Sequence, residues 1–287
     1  MMGRLSAWLG ETPKAAEIAR PHLDLSGELL REAFAGMVKG AEEQGGIERY
    51  VEALKLKAAL FADVLKDGPE TMAPQRFMEM AAFMPTVRRR LAPYLDAKGF
   101  ARIQGALAEL MDGMADATTA DARLASFCAR FPADKEHRFV RDLAAEVLHA
   151  LDAERYPLMT RWVWDQKANT GVLREIWFAD DIDHLTIHVA DDFATFLMLR
   201  EELAGFLTEN GIFRDMTQYI DILCAQIYAQ YICAQGGTYL RTDFAAPKDP
   251  MQHTRRLLGL DGVSPGTGRS RLKAIDGAVI EHHKRIG

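Results

Sequence analysis

Apolar residues recur every three or four positions through most of this chain, which is the spacing of one helix face. The segment 47–66 shows the pattern most clearly, with a stripe formed by Tyr50, Leu54, Ala58, Phe61 and Leu65. Two further strong helices are predicted after Asp191 or Asp192 and after Asp215, and Ser26 is predicted to cap an early one. The sequence therefore predicts a mainly α, multi-helix, bundle-like protein.

Residues 172–189 depart from helical spacing. Their first seven residues are rich in β-branched and aromatic side chains, and a polar turn follows. From His184 to Val189 apolar and polar residues alternate, which is typical of a half-buried strand. We therefore expect one small β-hairpin insertion near 172–189. The alternative is an all-α fold in which residues 180–191 form an irregular loop.

Proline and glycine positions divide the chain. A proline break predicts an N-terminal helical subdomain at 1–131 and a C-terminal helical subdomain with the hairpin at 132–261. Residues 262–287 are predicted to be a basic, flexible tail. Within the second subdomain, Lys135 to about Ala168 is expected to form one long helix or two, with a kink or a new start at Pro157.

Composition is that of an ordinary globular protein. The 287 residues include 48% hydrophobic and 26% charged side chains, so a sizeable core is expected. The net charge of −6 argues against attraction of the whole surface to nucleic acid or anionic lipid. The three cysteines form neither a CxxC pair nor a zinc spacing, and no signal peptide or run of about 20 apolar residues is visible. We therefore expect a soluble, cytoplasmic protein outside the membrane, with reduced thiols.

Tryptophan and arginine concentrate between residues 155 and 189, which contain three of the four tryptophans. These two residue types dominate many interfaces, because a large flat ring buries area at little entropic cost. The candidate contact residues are Arg155, Arg161, Trp162, Trp164 and Trp177. The alternative is that the tryptophans pack into the core and that Arg161 pairs with Asp165 one helical turn away.

The pair His184 and His188 bears on metal binding. On a helix the two rings would lie within about 6 Å and could share a metal ion. On the predicted strand they are about 13 Å apart, which is too far for one ion. A Glu146-x-x-His149 motif has the spacing used by di-iron bundles, but the chain has no second such motif. No metal site is therefore predicted.

A second set of candidate residues follows the Gly-Gly end of the last long helix. Tyr239, Arg241 and Asp243 alternate, so an extended segment would present all three on one face. Together with His184 and His188 they would form a pocket for a small molecule. The chain contains no HExxH, Walker or GxGxxG motif, so the sequence leaves open whether it is an enzyme and assigns no cofactor.

Three functional hypotheses follow. The first is a cytosolic helical interaction, assembly, adaptor or regulatory protein whose surface around 155–189 binds a protein partner or a second copy of the chain. The second is a motif-less enzyme or small-ligand-binding protein. The third is nucleic-acid association through the basic tail, since seven lysines and arginines face three acidic residues between 252 and 287. The tail lacks interleaved aromatic residues, so the sequence argues against nucleic acid as the main partner.

Overall fold

The computed structural model describes residues 21–239, 251–262, 270–273 and 279–282. Over these residues the protein is mainly helical, as predicted. The α-helices are α1 (Gly27–Glu42), α2 (Glu48–Leu65), α3 (Pro74–Ala81), α4 (Ala97–Met111), α5 (Ala120–Ala129), α6 (Phe139–Leu151), α7 (Val172–Glu175), α8 (Phe193–Glu209), α9 (Met216–Tyr239) and α10 (Gln252–Leu257). Short 3-10 helices occur at Pro69–Thr71, Ala92–Tyr94, Ala117–Thr119, Ile182–His184 and Leu260–Gly262. In the segment predicted as a tail, β1 (Ser270–Lys273) and β2 (Val279–His282) form an antiparallel pair.

Two helix starts follow the capping chemistry that the sequence predicts. The Ser26 hydroxyl accepts a hydrogen bond from the backbone N–H of Leu29 at 3.4 Å, which confirms it as the cap of α1. The carboxylate of Asp192, rather than that of Asp191, caps α8 by accepting from the N–H of Thr195 at 3.0 Å. These side chains satisfy donors that the first turn of a helix leaves without a partner.

The helix predicted to run as far as Ala168 is shorter than expected. The helix α6 ends at Leu151, and the chain from 152 to 171 is irregular apart from turns and one isolated bridge. Asp152 already has an extended φ of −154°. Pro157 then prevents the helix from continuing, because its ring would clash with the preceding turn and it has no N–H to donate.

The centre of the molecule is α9. It packs against α1, α2, α7, α8 and α10, and every residue from Tyr219 to Ile227 is buried. A helix that is buried on all sides has no solvent face. On the other side of α2, α6 packs against α2, α4 and α5. One cluster of buried apolar side chains extends from Leu23 to Leu260 and draws on both predicted subdomains.

The prediction of a β-hairpin at 172–189 is wrong. This region instead forms a loop without a hairpin, as in the all-α alternative. The first part forms the one-turn helix α7, and a 3-10 helix replaces the expected second strand at Ile182–His184. Trp177 makes an isolated antiparallel bridge with Leu25, at the start of the described chain. Of the alternating apolar residues, Ile187 is buried but Leu185 is exposed.

Side chains rather than a second strand bind the backbone of this loop. The Arg174 guanidinium donates to the carbonyl oxygens of Ile182 at 2.7 Å and Leu185 at 2.9 Å. The Asn169 side chain donates to the Leu185 carbonyl at 2.9 Å and accepts from the Ile187 N–H at 3.1 Å. Backbone groups outside a β-ladder still need hydrogen-bond partners, and these two side chains supply them here.

Candidate functional site

Four ionisable side chains from three helices meet in the core. Lys57 lies on α2, Glu146 and His149 lie on α6, and Asp221 lies on α9. Because Glu146 and His149 are three residues apart, α6 presents both on the same face. We call these four residues the buried charged cluster. Glu146 is only 3% exposed and Lys57 only 8%, which is rare for charged residues.

Lys57 joins two other elements through its ammonium group. Its Nζ donates to Oε2 of Glu146 at 2.7 Å and to the backbone carbonyl of Leu258, just after α10, at 3.0 Å. Burial raises the pKa of Glu146, and the charges of Lys57 and His149 oppose that rise. Glu146 therefore holds its proton more tightly than an exposed glutamate does.

His149 is bonded at both ring nitrogens. Its Nε2 lies 2.8 Å from Oδ2 of Asp221, and its Nδ1 lies 2.8 Å from the carbonyl oxygen of Tyr156. A carbonyl and a carboxylate both accept hydrogen bonds, so this pairing favours the imidazolium, which has a proton on each nitrogen. Burial alone lowers the pKa of His149, but Asp221, the Tyr156 carbonyl and Glu146 together raise it above its usual value.

Two clefts open beside the His149–Asp221 pair. The first, which we call the Lys57 cleft, has about 440 Å³ of space including its open mouth. All four residues of the buried charged cluster line it. Its remaining walls are mainly apolar and are formed by Leu54, Ala58, Ala150, Ala153, Leu158, Gln218, Leu257 and Leu258.

The second cleft lies between the end of α6, α8 and α9, and we call it the Arg200 cleft. It has about 360 Å³ of space including its mouth, and it shares His149, Asp221, Ala153 and Leu158 with the first. Both volumes include open solvent at the mouth, and the enclosed part of each cleft is far smaller. A ligand in either cleft would therefore be small.

The Lys57 cleft has unused hydrogen-bonding capacity. An ammonium has three N–H bonds, and the described residues supply Lys57 with two acceptors. Among those same residues only Oε2 of Glu146 receives a hydrogen bond, which leaves Oε1 for a ligand. A group with a raised pKa beside a cation in a cleft can exchange a proton with a bound molecule.

Neither metal binding nor a cysteine nucleophile receives support in the described part of the chain. No group of three or more histidine, cysteine, aspartate or glutamate side chains there could hold a metal ion. Cys224 lines the Arg200 cleft, but burial raises the pKa of its thiol far above the usual value. The thiolate is the nucleophilic form of cysteine, so Cys224 is a poor nucleophile.

The tryptophans predicted at an interaction surface lie mostly inside the protein. Trp164 is fully buried, and its indole N–H donates to the Val189 carbonyl at 3.0 Å. Trp162 is 8% exposed and packs against the Tyr228 ring, while Trp177 is half-buried. Trp162 and Trp164 therefore pack into the core, which is the alternative that the sequence left open.

The two predicted arginines have acidic partners within the chain. Arg161 pairs with the buried Asp142 at 2.8 Å and not with Asp165, which instead binds Arg138 at 2.7 Å. The expected pairing one helical turn away fails because residues 161–165 are not helical. Arg155 is exposed and binds Asp152.

Only some of the residues predicted to line a pocket lie within the described chain, so that pocket stays a prediction. His184 and His188 are both exposed on the loop after α7. Tyr239 ends α9, and Arg241 and Asp243 lie outside the described residues. Most of the basic tail also lies outside them, so nucleic-acid association stays a prediction.

Sequence reasoning had the signals for the buried charged cluster but did not combine them. Lys57 lies three residues after Leu54 and four before Phe61, so it occupies an apolar face of α2. Asp221 interrupts the most apolar helix. Glu146 and His149 have the spacing of half a di-iron motif, which does not by itself show that they are buried. Charged residues at positions that the helical period assigns to the core are the signal that could have identified the site.

Comparison with known proteins finds no matching protein family, no similar curated protein and no similar solved structure. Among the described helices, none combines the length and the apolar character needed to cross a membrane. The geometry of the site is therefore the basis for proposing a function.

Proposed function

We propose that this chain binds a small polar molecule in the Lys57 cleft and that Glu146 exchanges a proton with it. One observation carries the proposal, namely the burial of four ionisable side chains from three helices against a single cleft. Buried ion pairs contribute little net stability compared with apolar residues of the same size. Their placement beside a cleft is better explained by a role toward a ligand.

The chemistry of the cleft defines the ligand class. Lys57 offers a donor, Glu146 an acceptor that can also carry a proton, and the walls around them are apolar. A small neutral molecule that both donates and accepts hydrogen bonds, such as an amide or a hydroxy compound, matches this set. The cluster has paired charges of both signs, so the cleft does not select strongly for a charged ligand.

Thermal stability of purified protein with small amides, alcohols and hydroxy ketones tests the proposal, since a ligand that binds only the folded state raises Tm. At least one compound should raise the Tm of the wild type and of Glu154→Gln, an exposed control close to the clefts. The same compound should leave the Tm of the Glu146→Gln variant unchanged. Glu146→Gln keeps a carbonyl oxygen for Lys57 and so should fold. Equal shifts in all three proteins, or no shift from any compound, would contradict the proposal.

We propose a protein–protein role as the second candidate function, because of two exposed apolar side chains in the region 155–189. The ring of Phe178 is 66% exposed, although its backbone N–H is held by the Asp24 carbonyl at 2.8 Å. Leu185 follows at 36% exposed on the same loop. An aromatic side chain on an anchored backbone suits a contact with a second copy of the chain, because the backbone there loses little freedom on binding.

Sedimentation velocity at rising protein concentration tests this second candidate. Phe178→Ala should weaken self-association, whereas Phe213→Ala should not, because Phe213 is as exposed but lies at the turn between α8 and α9. A wild type that stays monomeric at all concentrations would rule out self-association through this loop.

A further inference from the structure

The Arg200 cleft differs in chemistry from the Lys57 cleft. Its walls are mainly apolar side chains from α8, α9 and the segment after α6, namely Pro157, Leu158, Val163, Phe196, Leu199, Leu203 and Ile220. Arg200 lies on α8 beside these residues, one turn from Leu203. A cation next to an apolar wall is an arrangement that suits a ligand with an anionic end and a hydrocarbon body.

The guanidinium of Arg200 is held in place without a close carboxylate. Its Nη1 donates to the backbone carbonyls of Ala153 at 3.1 Å and Glu154 at 2.6 Å. Among the described residues, no acidic group lies within salt-bridge distance of it. Burial lowers the pKa of Arg200, while Glu154, Glu201, Asp152 and Asp221 oppose that change from farther away. A guanidinium has five N–H donors, so its Nε and Nη2 donors stay available to a ligand.

The other ionisable groups of this cleft leave its charge positive. His149 and Asp221 are bonded to each other, so their opposite charges largely compensate. Cys224 is a neutral thiol for the reason given above. Arg200 is therefore the charge that a ligand would meet, and a planar guanidinium binds a carboxylate through two parallel hydrogen bonds.

We propose that the Arg200 cleft is a binding site for a small aliphatic monocarboxylate. The carboxylate binds Nε and Nη2 of Arg200, and the alkyl chain packs against Leu199, Leu203 and Ile220. The enclosed part of the cleft is small, so only a short alkyl chain fits against these side chains. This site shares the His149–Asp221 wall with the one proposed over Glu146, but its charged contact is Arg200 rather than Lys57 or Glu146.

Titration with butanoate, butan-1-ol and butylammonium tests the proposal on the wild-type protein, with binding followed by NMR of labelled methyl groups. Butanoate should bind at least about tenfold more tightly than the other two probes, because only it pairs with the guanidinium. The largest shift changes should occur at the methyl groups of Leu199, Leu203 and Ile220. Equal binding of butanoate and butylammonium, or shift changes confined to another region, would overturn the proposal.

Two arginine variants sharpen the result. Arg200→Gln should weaken butanoate binding at least about tenfold, while Arg155→Gln should leave it unchanged, since Arg155 is exposed and outside the cleft. If Arg200→Gln does not fold, Arg200→Lys keeps the charge but loses the planar pair of donors, so it should bind butanoate more weakly than the wild type does. Unchanged affinity in the folded Arg200 variant would refute the proposal. Binding of amides in the Lys57 cleft is measured separately and does not depend on this outcome.

Discussion

Nε2 of His149 lies 2.8 Å from the carboxylate of Asp221, so α6 and α9 are joined through an ionic hydrogen bond in the core. The second ring nitrogen bonds the Tyr156 carbonyl, at the point where the irregular segment after α6 begins to enter the core. One side chain therefore connects two helices and a loop. Its protonation state affects the stability of all three.

The pKa of His149 gives the sign of a pH effect. Because folding raises this pKa above the reference value of 6.5, the folded protein binds a proton that the unfolded chain releases. The stabilisation from His149 is complete below pH 6.5 and is lost as pH rises through the higher pKa of the folded state. The difference in unfolding free energy between wild type and His149→Gln should therefore shrink as pH rises, which urea denaturation at a series of pH values measures. A difference that grows with pH would contradict the paired imidazolium.

Lys57 and Glu146 should show strong coupling. Lys57→Met leaves a buried carboxyl group without its cation and the Leu258 carbonyl without its donor, so it should cost about 3–5 kcal/mol. The double variant Lys57→Met with Glu146→Leu should recover most of that loss, because no buried charge is left unpaired. A double-mutant cycle in urea measures the coupling. Additive losses would show that the two side chains act independently.

Gly259 should not tolerate a side chain. Its φ is +75°, and a Cβ atom there would lie 1.8 Å from the carbonyl oxygen of Phe83. Gly113 is a matched control, with a φ of +73° and nothing within 4 Å of its Cβ position. Gly113→Ala should cost about 1–2 kcal/mol for the left-handed conformation alone. Gly259→Ala should cost clearly more, and equal urea midpoints for the two variants would disprove the close approach.

Asn169 should control the order of the loop after α7. Its φ of 51° suits asparagine, aspartate and glycine, so all three can occupy the position. Asn169→Gly removes the acceptor for the Ile187 N–H, and hydrogen exchange of that amide should accelerate. Asn169→Asp retains an acceptor oxygen and should protect the amide better than glycine does. Unchanged exchange in the glycine variant would mean that this hydrogen bond does not hold the loop.

Trp164 should behave as a core residue. Trp164→Ala removes a fully buried ring and should cost about 3–5 kcal/mol. Phe178→Ala, at an exposed ring nearby in sequence, should change the unfolding free energy by about 0.5 kcal/mol or less. Urea denaturation of the two variants compares them directly. Similar small effects would place Trp164 at the surface.

The parts of the fold that follow from local chemistry could be predicted. The helix caps at Ser26 and Asp192 depend on hydrogen bonds within three residues, so the sequence contains all the information. Local hydrogen bonding could not exclude the predicted hairpin at 172–189. Its alternating pattern is real, but the groups that bind its backbone come from Asn169 and Arg174, outside the alternating stretch.

The candidate site depends on contacts that are distant in sequence. Lys57 and Glu146 are 89 residues apart, and His149 and Asp221 are 72 apart. Sequence spacing places Glu146 and His149 on one helix face, but it does not show that α2 and α9 supply opposite charges. What the sequence offered was the presence of charged residues within apolar stripes. That observation marks a buried position without naming its partner.

The burial of α9 also bears on how the chain is made. Eight of the described α-helices precede α9 in the sequence, yet five elements pack against it. During synthesis the apolar faces of α1, α2, α7 and α8 leave the ribosome before the helix that covers them does. The core can close only when α9 and α10 have emerged, so nascent chains that end before α9 should be the natural clients of chaperones.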